Sequence, residues 1–398
     1  MRTIKQCRSC NGEIKEFMDL GVQYTSDFRE TDEKTPAYPI VAVICESCHL
    51  VQLRDTTPSH VMYHENYGFK SGVSNSIKDD LKSIVEDGIA HKPDVESWLD
   101  IASNDGTLLS YVPKHLRRVG VDPISKYCVL AEQYANKIVN DFFKRELMDS
   151  ERFDVITSIS CFYDMDDPNT FVSDVAKTLN KDGIWIIQQN YLLPTMQLNA
   201  VDNFCHEHLE YYTLLSLEPL LERHGLEVID LSTSMVNGGS IRTIVAHKGK
   251  HAVQDSVERQ RAIELDYGLS TMEPYERFAK DVWDNLNKLK KFVDDANAEG
   301  KVVAILAAST RGATIWQAAG ITEKDVPYAI ERNPEKVGKY FNAVGMPIIS
   351  EEDARKRKPD YMIVGPWFFA DEIIERELDY RAGGGALVVP LPELKIVR

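Results

Sequence analysis

The clearest pattern of apolar and polar positions begins at Trp98. In "SWLDIASNDGTLLSYV", Trp98, Leu99 and Ile101 predict a strand and Ala102 to Gly106 a tight loop. Leu108, Leu109 and Val112 then recur at helical spacing. "RRVGVDP" predicts a second strand that ends in Asp122, about twenty residues beyond Asp100. Beyond it, "FDVITSIS" reads as a strand, "PNTFVSDVAKTLNKDG" as a helix ending at Gly183, and "IWIIQQ" as another strand. This βα succession predicts a doubly wound sheet.

The pattern changes after His251. Up to Asn297 the chain is charged, with Phe278, Val282, Leu286, Leu289 and Phe292 at helical spacing, and reads as linking helices. "KVVAILAASTRGATIWQAAG" then predicts a buried strand, a small-residue turn and a helix. "VPYAIERNP", "PDYMIVGPWFF" and "GGGALVVPLP" supply later strands. The expected class is α/β, divided into residues 1–60, 61–250, a helical linker over 251–297, and a second Rossmann-like unit over 298–398.

Composition narrows the partners. A length of 398 residues with 43% hydrophobic content suits several buried cores. The formal charge of −16 argues against non-specific binding to nucleic acid or an anionic membrane. No apolar run reaches the roughly 18 residues that span a bilayer, and "MRTIKQCRSC" lacks the core of a signal peptide. A cytoplasmic protein is expected, monomeric or homodimeric, whose cysteines are thiols or metal ligands.

Four of the cysteines form two C-x-x-C pairs, Cys7 with Cys10 and Cys45 with Cys48. Each turn points two sulfurs at one centre, and two turns complete a tetrahedral S4 site suited to structural zinc. In the first βαβ unit the loop is not G-x-G-x-x-G, so a dinucleotide fits poorly. Asp100, Ser103, Asp105 and Gly106, followed at a distance by Asp122, instead suit S-adenosylmethionine (SAM). That ligand has a ribose diol and an amino-acid tail to grip but no pyrophosphate. In the second unit Ser309, Thr310 and Gly312 open a helix, a natural anion site, with Arg332 after the next strand.

These pieces together resemble the SAM-dependent sugar C-methyltransferases. The resemblance is carried by "CRSC…CESCHLVQL", "YGFKSGVSNS", "DIASNDGTLL", "GVDP", "HEHLEYY", "NGGSIR", "AASTRGATIWQ", "IERNPEKVGKY" and "PDYMIVGPWFF", in that order. It implies a zinc-binding domain, a SAM-binding domain, and a C-terminal Rossmann-like domain that helps hold a nucleotide-linked deoxysugar. It also implies a lid over the cofactor, with Tyr67, Lys70 and Ser71 as its candidates.

The segment "NFCHEHLEYY" holds the candidate chemistry. His206 and His208 are two apart, so they diverge on a helix and do not form the H-E-x-x-H zinc motif. Methylating a carbon beside a ketone requires removal of an α proton. A histidine titrating near neutrality, with a carboxylate beside it, suits that task. The resemblance assigns the base role to Glu207 and His208, with His206 completing the motif. The chain departs from the amino-sugar members at four substrate-side positions. Cys205 stands where they carry Tyr, Ser160 and Asp164 where they carry Asn and His, and Asn237 where His is usual. The residues also fit an O- or N-methyltransferase of another small molecule, or a non-catalytic zinc- and nucleotide-binding protein.

Overall fold

The computed structural model describes residues 1–63 and 70–398. Three larger sheets organise the chain. The first is built on the hairpin of Ile14–Tyr24 with Ala37–Cys45, extended by Val51–Leu53 and then by Glu210–Tyr211 from far along the chain. Ile40, Ala42 and Ile44 of its second strand share a buried core with the helix Glu273–Ala298 and the C-terminal sheet.

The second sheet has seven strands. Ser97–Ile101 is central, flanked by Arg117–Val121 and Lys137–Val139 on one side and by Phe153–Ile159 and Leu179–Asn190 on the other. These five run parallel, and the order reverses beside the first strand, which opens a crevice at the carboxyl ends. Ser240–His247 pairs antiparallel with Leu179–Asn190, and Leu226–Ser234 forms the edge. Trp98 and Trp185 are wholly buried, and each indole N–H donates to a hydroxyl on Phe153–Ile159: Thr157 at 3.1 Å and Ser158 at 3.1 Å. Their bulk fills the sheet without leaving a donor unpaired.

One boundary differs from the sequence reading. The helix after Pro168 ends at Thr178, and Gly183 lies inside the strand Leu179–Asn190. A Cβ at Gly183 would sit 2.9 Å from the Asp154 carbonyl, so this glycine permits close strand approach rather than capping a helix.

The third sheet centres on Val303–Leu306 and adds Ala329–Glu331, Met346–Ser350, Tyr361–Val364 and Ala386–Val389 in parallel. Its far edge is closed by Tyr340–Phe341, which pairs with Phe28–Arg29 from the first domain. The Asn342 amide fixes this junction by donating to the Thr31 and Glu33 carbonyls at 2.8 and 2.7 Å. Among the described residues, no helix is long and apolar enough to cross a membrane.

Candidate active site

The four N-terminal cysteines converge. Their sulfurs all lie within 4.8 Å of one another, with Cys7–Cys48 at 3.6 Å and Cys10–Cys45 at 3.4 Å, and none is in a disulfide. Tetrahedral zinc–sulfur bonds of about 2.3 Å set sulfurs about 3.8 Å apart, so the cluster fits the metal. The two turns match: Asn11 and His49, both left-handed, return their N–H groups to the carbonyls of Cys7 and Cys45. N–H groups of Gly12 and Ser47 and the Gln52 amide donate to the sulfurs at 3.3 to 3.4 Å, which is the environment a metal-bound thiolate needs.

The donor side forms where the central strands end. Ala102, Asn104 and Gly106 all have positive φ, which folds the loop back under the sheet edge. A Cβ at Gly106 would approach the Ala131 backbone to 2.8 Å, so only glycine fits there. Asp122 is buried, and its carboxylate accepts the N–H groups of Asn104 at 2.8 Å and Ile124 at 2.9 Å. Burial raises its pKa. Asp122, Asn104 and Ser71 line a cavity of about 600 Å³. A side recess of about 40 Å³ is walled by Asp80, Asp100, Ser103, Ser160, Gln188 and Asn237. The Ser103 hydroxyl is buried there with no partner among the described residues. An amino-acid tail in the recess would satisfy it, so the residues fit SAM.

Asp105 does not line either space. It accepts the Gly72 N–H at 3.1 Å and the Thr107 hydroxyl at 2.6 Å, and so latches the 71–72 segment onto the loop. Asn104 joins the latch by accepting the Ser71 N–H at 3.0 Å. Tyr67 lies outside the described residues.

The same cavity reaches the H-E-H segment. Ser160, Asp164, His206 and Glu207 line it together with Asp122. Glu207 is half-buried, and burial raises its pKa; its nearest donor is the Cys205 thiol at 3.9 Å. Asp164 is pushed well above the usual carboxylate range, chiefly by burial and also by the charge of Glu207. One Asp164 oxygen accepts the Tyr63 hydroxyl at 2.9 Å, while the other is buried without a partner among the described residues. Cys205 lies behind this wall, lining a small recess with Glu207, His206 and Thr310.

The histidines differ from the sequence expectation. His206 gives its Nε2 proton to the Tyr38 carbonyl at 3.0 Å. His208 packs edge-on to the Tyr163 ring at 4.4 Å and donates from Nδ1 to the Asn203 carbonyl at 3.0 Å, leaving the Nε2 lone pair. It is not among the residues that line the cavity. Its pKa is not near neutrality but is lowered to about 3, first by burial and then by the charge of Arg311. Tyr211 and Tyr212 are packing residues: their rings stack on Phe204 and Phe162 at 4.2 and 4.9 Å.

The C-terminal residues fare unequally. Ser309 caps the helix Thr310–Ala318 by accepting the Gly312 N–H at 3.4 Å, so that donor is already engaged. The Arg332 side chain is 66% exposed and nearest to Glu351 at 4.0 Å; it does not line these cavities. The residue that does reach inward is Arg311, which the sequence reading passed over for its small neighbours. Its guanidinium donates to the Asn237 carbonyl at 2.7 Å and pairs with buried Asp202 at 2.8 Å. A lone cation in the first turn of a helix, where cations are disfavoured, was the available signal.

A doubly wound sheet with an acidic residue after its second strand, beside a cavity that also reaches the H-E-H segment, suits a SAM-dependent methyltransferase. Comparison with known families gives three matches along the chain. Residues 7–63 match a zinc binding domain, 73–231 a methyltransferase domain, and 235–392 the C-methyltransferase C-terminal domain. The chain is 27% identical over 414 residues to the C-methyltransferase NovU of Streptomyces niveus, covering 100% of this chain and 98% of that one. It is therefore a SAM-dependent methyltransferase that carries these three domains in this order. Among solved structures, a SAM-dependent methyltransferase from Clostridium acetobutylicum aligns with 45% of this chain and 94% of its own (16% identity, TM-score 0.36). The N-methyltransferase NodS from Bradyrhizobium japonicum aligns with 44% of this chain and 98% of its own (12% identity, TM-score 0.35).

Proposed function

We propose that the enzyme methylates the carbon α to a ketone in a nucleotide-linked deoxysugar, with Glu207 taking the α proton. The observation that carries this reading is one cavity of about 600 Å³ lined by Asp122 and also by Glu207 and Asp164. When bound, SAM supplies an electrophilic methyl group held on a sulfonium.

Asp122 grips the ribose diol, and the recess around Ser103 takes the amino-acid tail. Glu207, with its acidity weakened by burial, is a stronger base than an exposed carboxylate and faces the acceptor. Asp164, its acidity weakened chiefly by burial, is suited to donate to the ketone oxygen as negative charge develops there. His208, uncharged and fixed in one tautomer, supports the proton without lining the cavity. Thr310 shares a recess with Glu207, so the C-terminal domain borders the acceptor and is suited to its nucleotide handle.

The test is solvent exchange. Incubated in D2O with S-adenosylhomocysteine, wild-type enzyme should place deuterium at one α carbon of a nucleotide ketosugar, and Glu207→Gln should not. A SAM-dependent product methylated on oxygen or nitrogen, with no exchange on carbon, would sink the reading.

A further inference from the structure

Arg311 ties together two loops beside the seven-stranded sheet, those of Asn237 and Asp202. It projects from the first turn of the helix Thr310–Ala318, with 15% of its side chain exposed. One nitrogen donates to the Asn237 carbonyl at 2.7 Å, and Asn237 walls the donor recess. The other lies 2.8 Å from Asp202, which is 1% exposed. Asp202 sits in the turn Val201–Asn203, directly before the carbonyl that receives the His208 proton. The Phe368 ring lies under the guanidinium at 5.0 Å and limits its movement. Asn203 is held independently: its side chain donates to the Thr195 hydroxyl at 2.8 Å and accepts from the Asn190 amide at 2.9 Å.

We propose that Arg311 is a positioning residue for methyl transfer: from the C-terminal domain it fixes the turn that orients His208 and braces the Asn237 wall of the donor recess. The C-terminal domain thus completes the catalytic domain's geometry rather than only holding substrate. Three features support this. The guanidinium reaches two loops at once, donating to the Asn237 carbonyl through one nitrogen and pairing by charge with Asp202 through another. Asp202 is 1% exposed, and Arg311 is the cation 2.8 Å from it. Among the described residues, the His208 ring meets the Tyr163 ring and the Asn203 carbonyl, and Arg311 is the cation whose charge acts on it.

The inference rests on the proton-handling role given to Glu207 and His208, and its test separates the two. His208 is followed by ring NMR in selectively labelled enzyme, with His208→Gln identifying its signals. Wild type should show one Nδ1–H tautomer with no titration above the ordinary histidine value of about 6.5. Arg311→Ala should mix the tautomers and move the titration up toward that value. Turnover should fall about 100-fold, a loss typical of a displaced catalytic group, and affinity for S-adenosylhomocysteine should fall less. Arg311→Lys, or added guanidinium ion, should restore part of the turnover to the arginine-deficient enzyme. If Arg311→Ala does not fold, Asp202→Asn gives the same reading, because it keeps the shape and loosens the tautomer. An unchanged ring tautomer in the folded variant overturns the proposal, as does a turnover loss that only tracks melting temperature and that neither lysine nor guanidinium restores. Full turnover in His208→Ala would instead remove the catalytic reading of that histidine and leave the ring measurement to judge Arg311.

Discussion

The backbone N–H of Leu53 donates to the carbonyl of Leu209 at 2.8 Å, joining the cysteine-bearing sheet to the residue after His208. Glu210 and Tyr211 continue the contact by pairing with Gln52 and Val51. The zinc cluster therefore supports the catalytic segment through three residues of strand. Cys45→Ser should lower bound zinc, measured by elemental analysis, and reduce both melting temperature and turnover, because structural zinc contributes folding energy. A zinc-free variant with wild-type turnover would separate the metal from the site.

Asp122 is the residue proposed to hold the donor's ribose. Asp122→Ala removes the acceptor for the ribose and frees the Asn104 and Ile124 N–H groups. S-adenosylhomocysteine should bind about 10 to 100 times more weakly by calorimetry, the loss expected of one or two hydrogen bonds to a charged group.

Asp100 makes the donor-free enzyme sensitive to pH. Burial raises its pKa to about 7, partly offset by the Thr157 hydroxyl at 2.6 Å. The folded state therefore holds a proton between about pH 4 and 7 that the unfolded chain has released. Its contribution to stability is fully present below the unfolded value and lost as pH rises through the folded one. Asp100→Asn should flatten the melting-temperature profile across that window.

The carboxyl pair proposed to meet the acceptor predicts an ordered set of losses. Glu207→Gln should abolish turnover, and His208→Ala should reduce it about 100-fold or more with donor affinity retained. Asp164→Asn keeps an N–H donor and should lose less than Asp164→Ala; the reverse order would mean that a carboxylate, not its acid, faces the ketone. The acid limb of the rate profile should lie above the ordinary carboxylate value of about 4.3, because burial raises Glu207.

Local pattern made the site's scaffold legible. Trp98, Leu99 and Ile101 are buried in a central strand, Gly106 turns the loop, and Asp122 ends the next strand. The paired C-x-x-C turns converge. What pattern does not encode is partnership between distant segments. Nothing around Glu210 announces a strand that joins residues 51–52, and nothing around Phe28 announces an edge on the C-terminal sheet. The low pKa of His208 likewise depends on burial and on Arg311, which is 103 positions away in the chain (311 − 208). Residue type suggested a neutral-range base; the surroundings decided otherwise.

The pairing of Phe28–Arg29 with Tyr340–Phe341 constrains how the enzyme can be recombined. A chimera that exchanges the last hundred-odd residues for a relative's must also import the stretch between Tyr24 and Ala37, or it will present a mismatched seam. Acceptor range is therefore best altered by swapping both pieces as a set, although they lie at opposite ends of the gene.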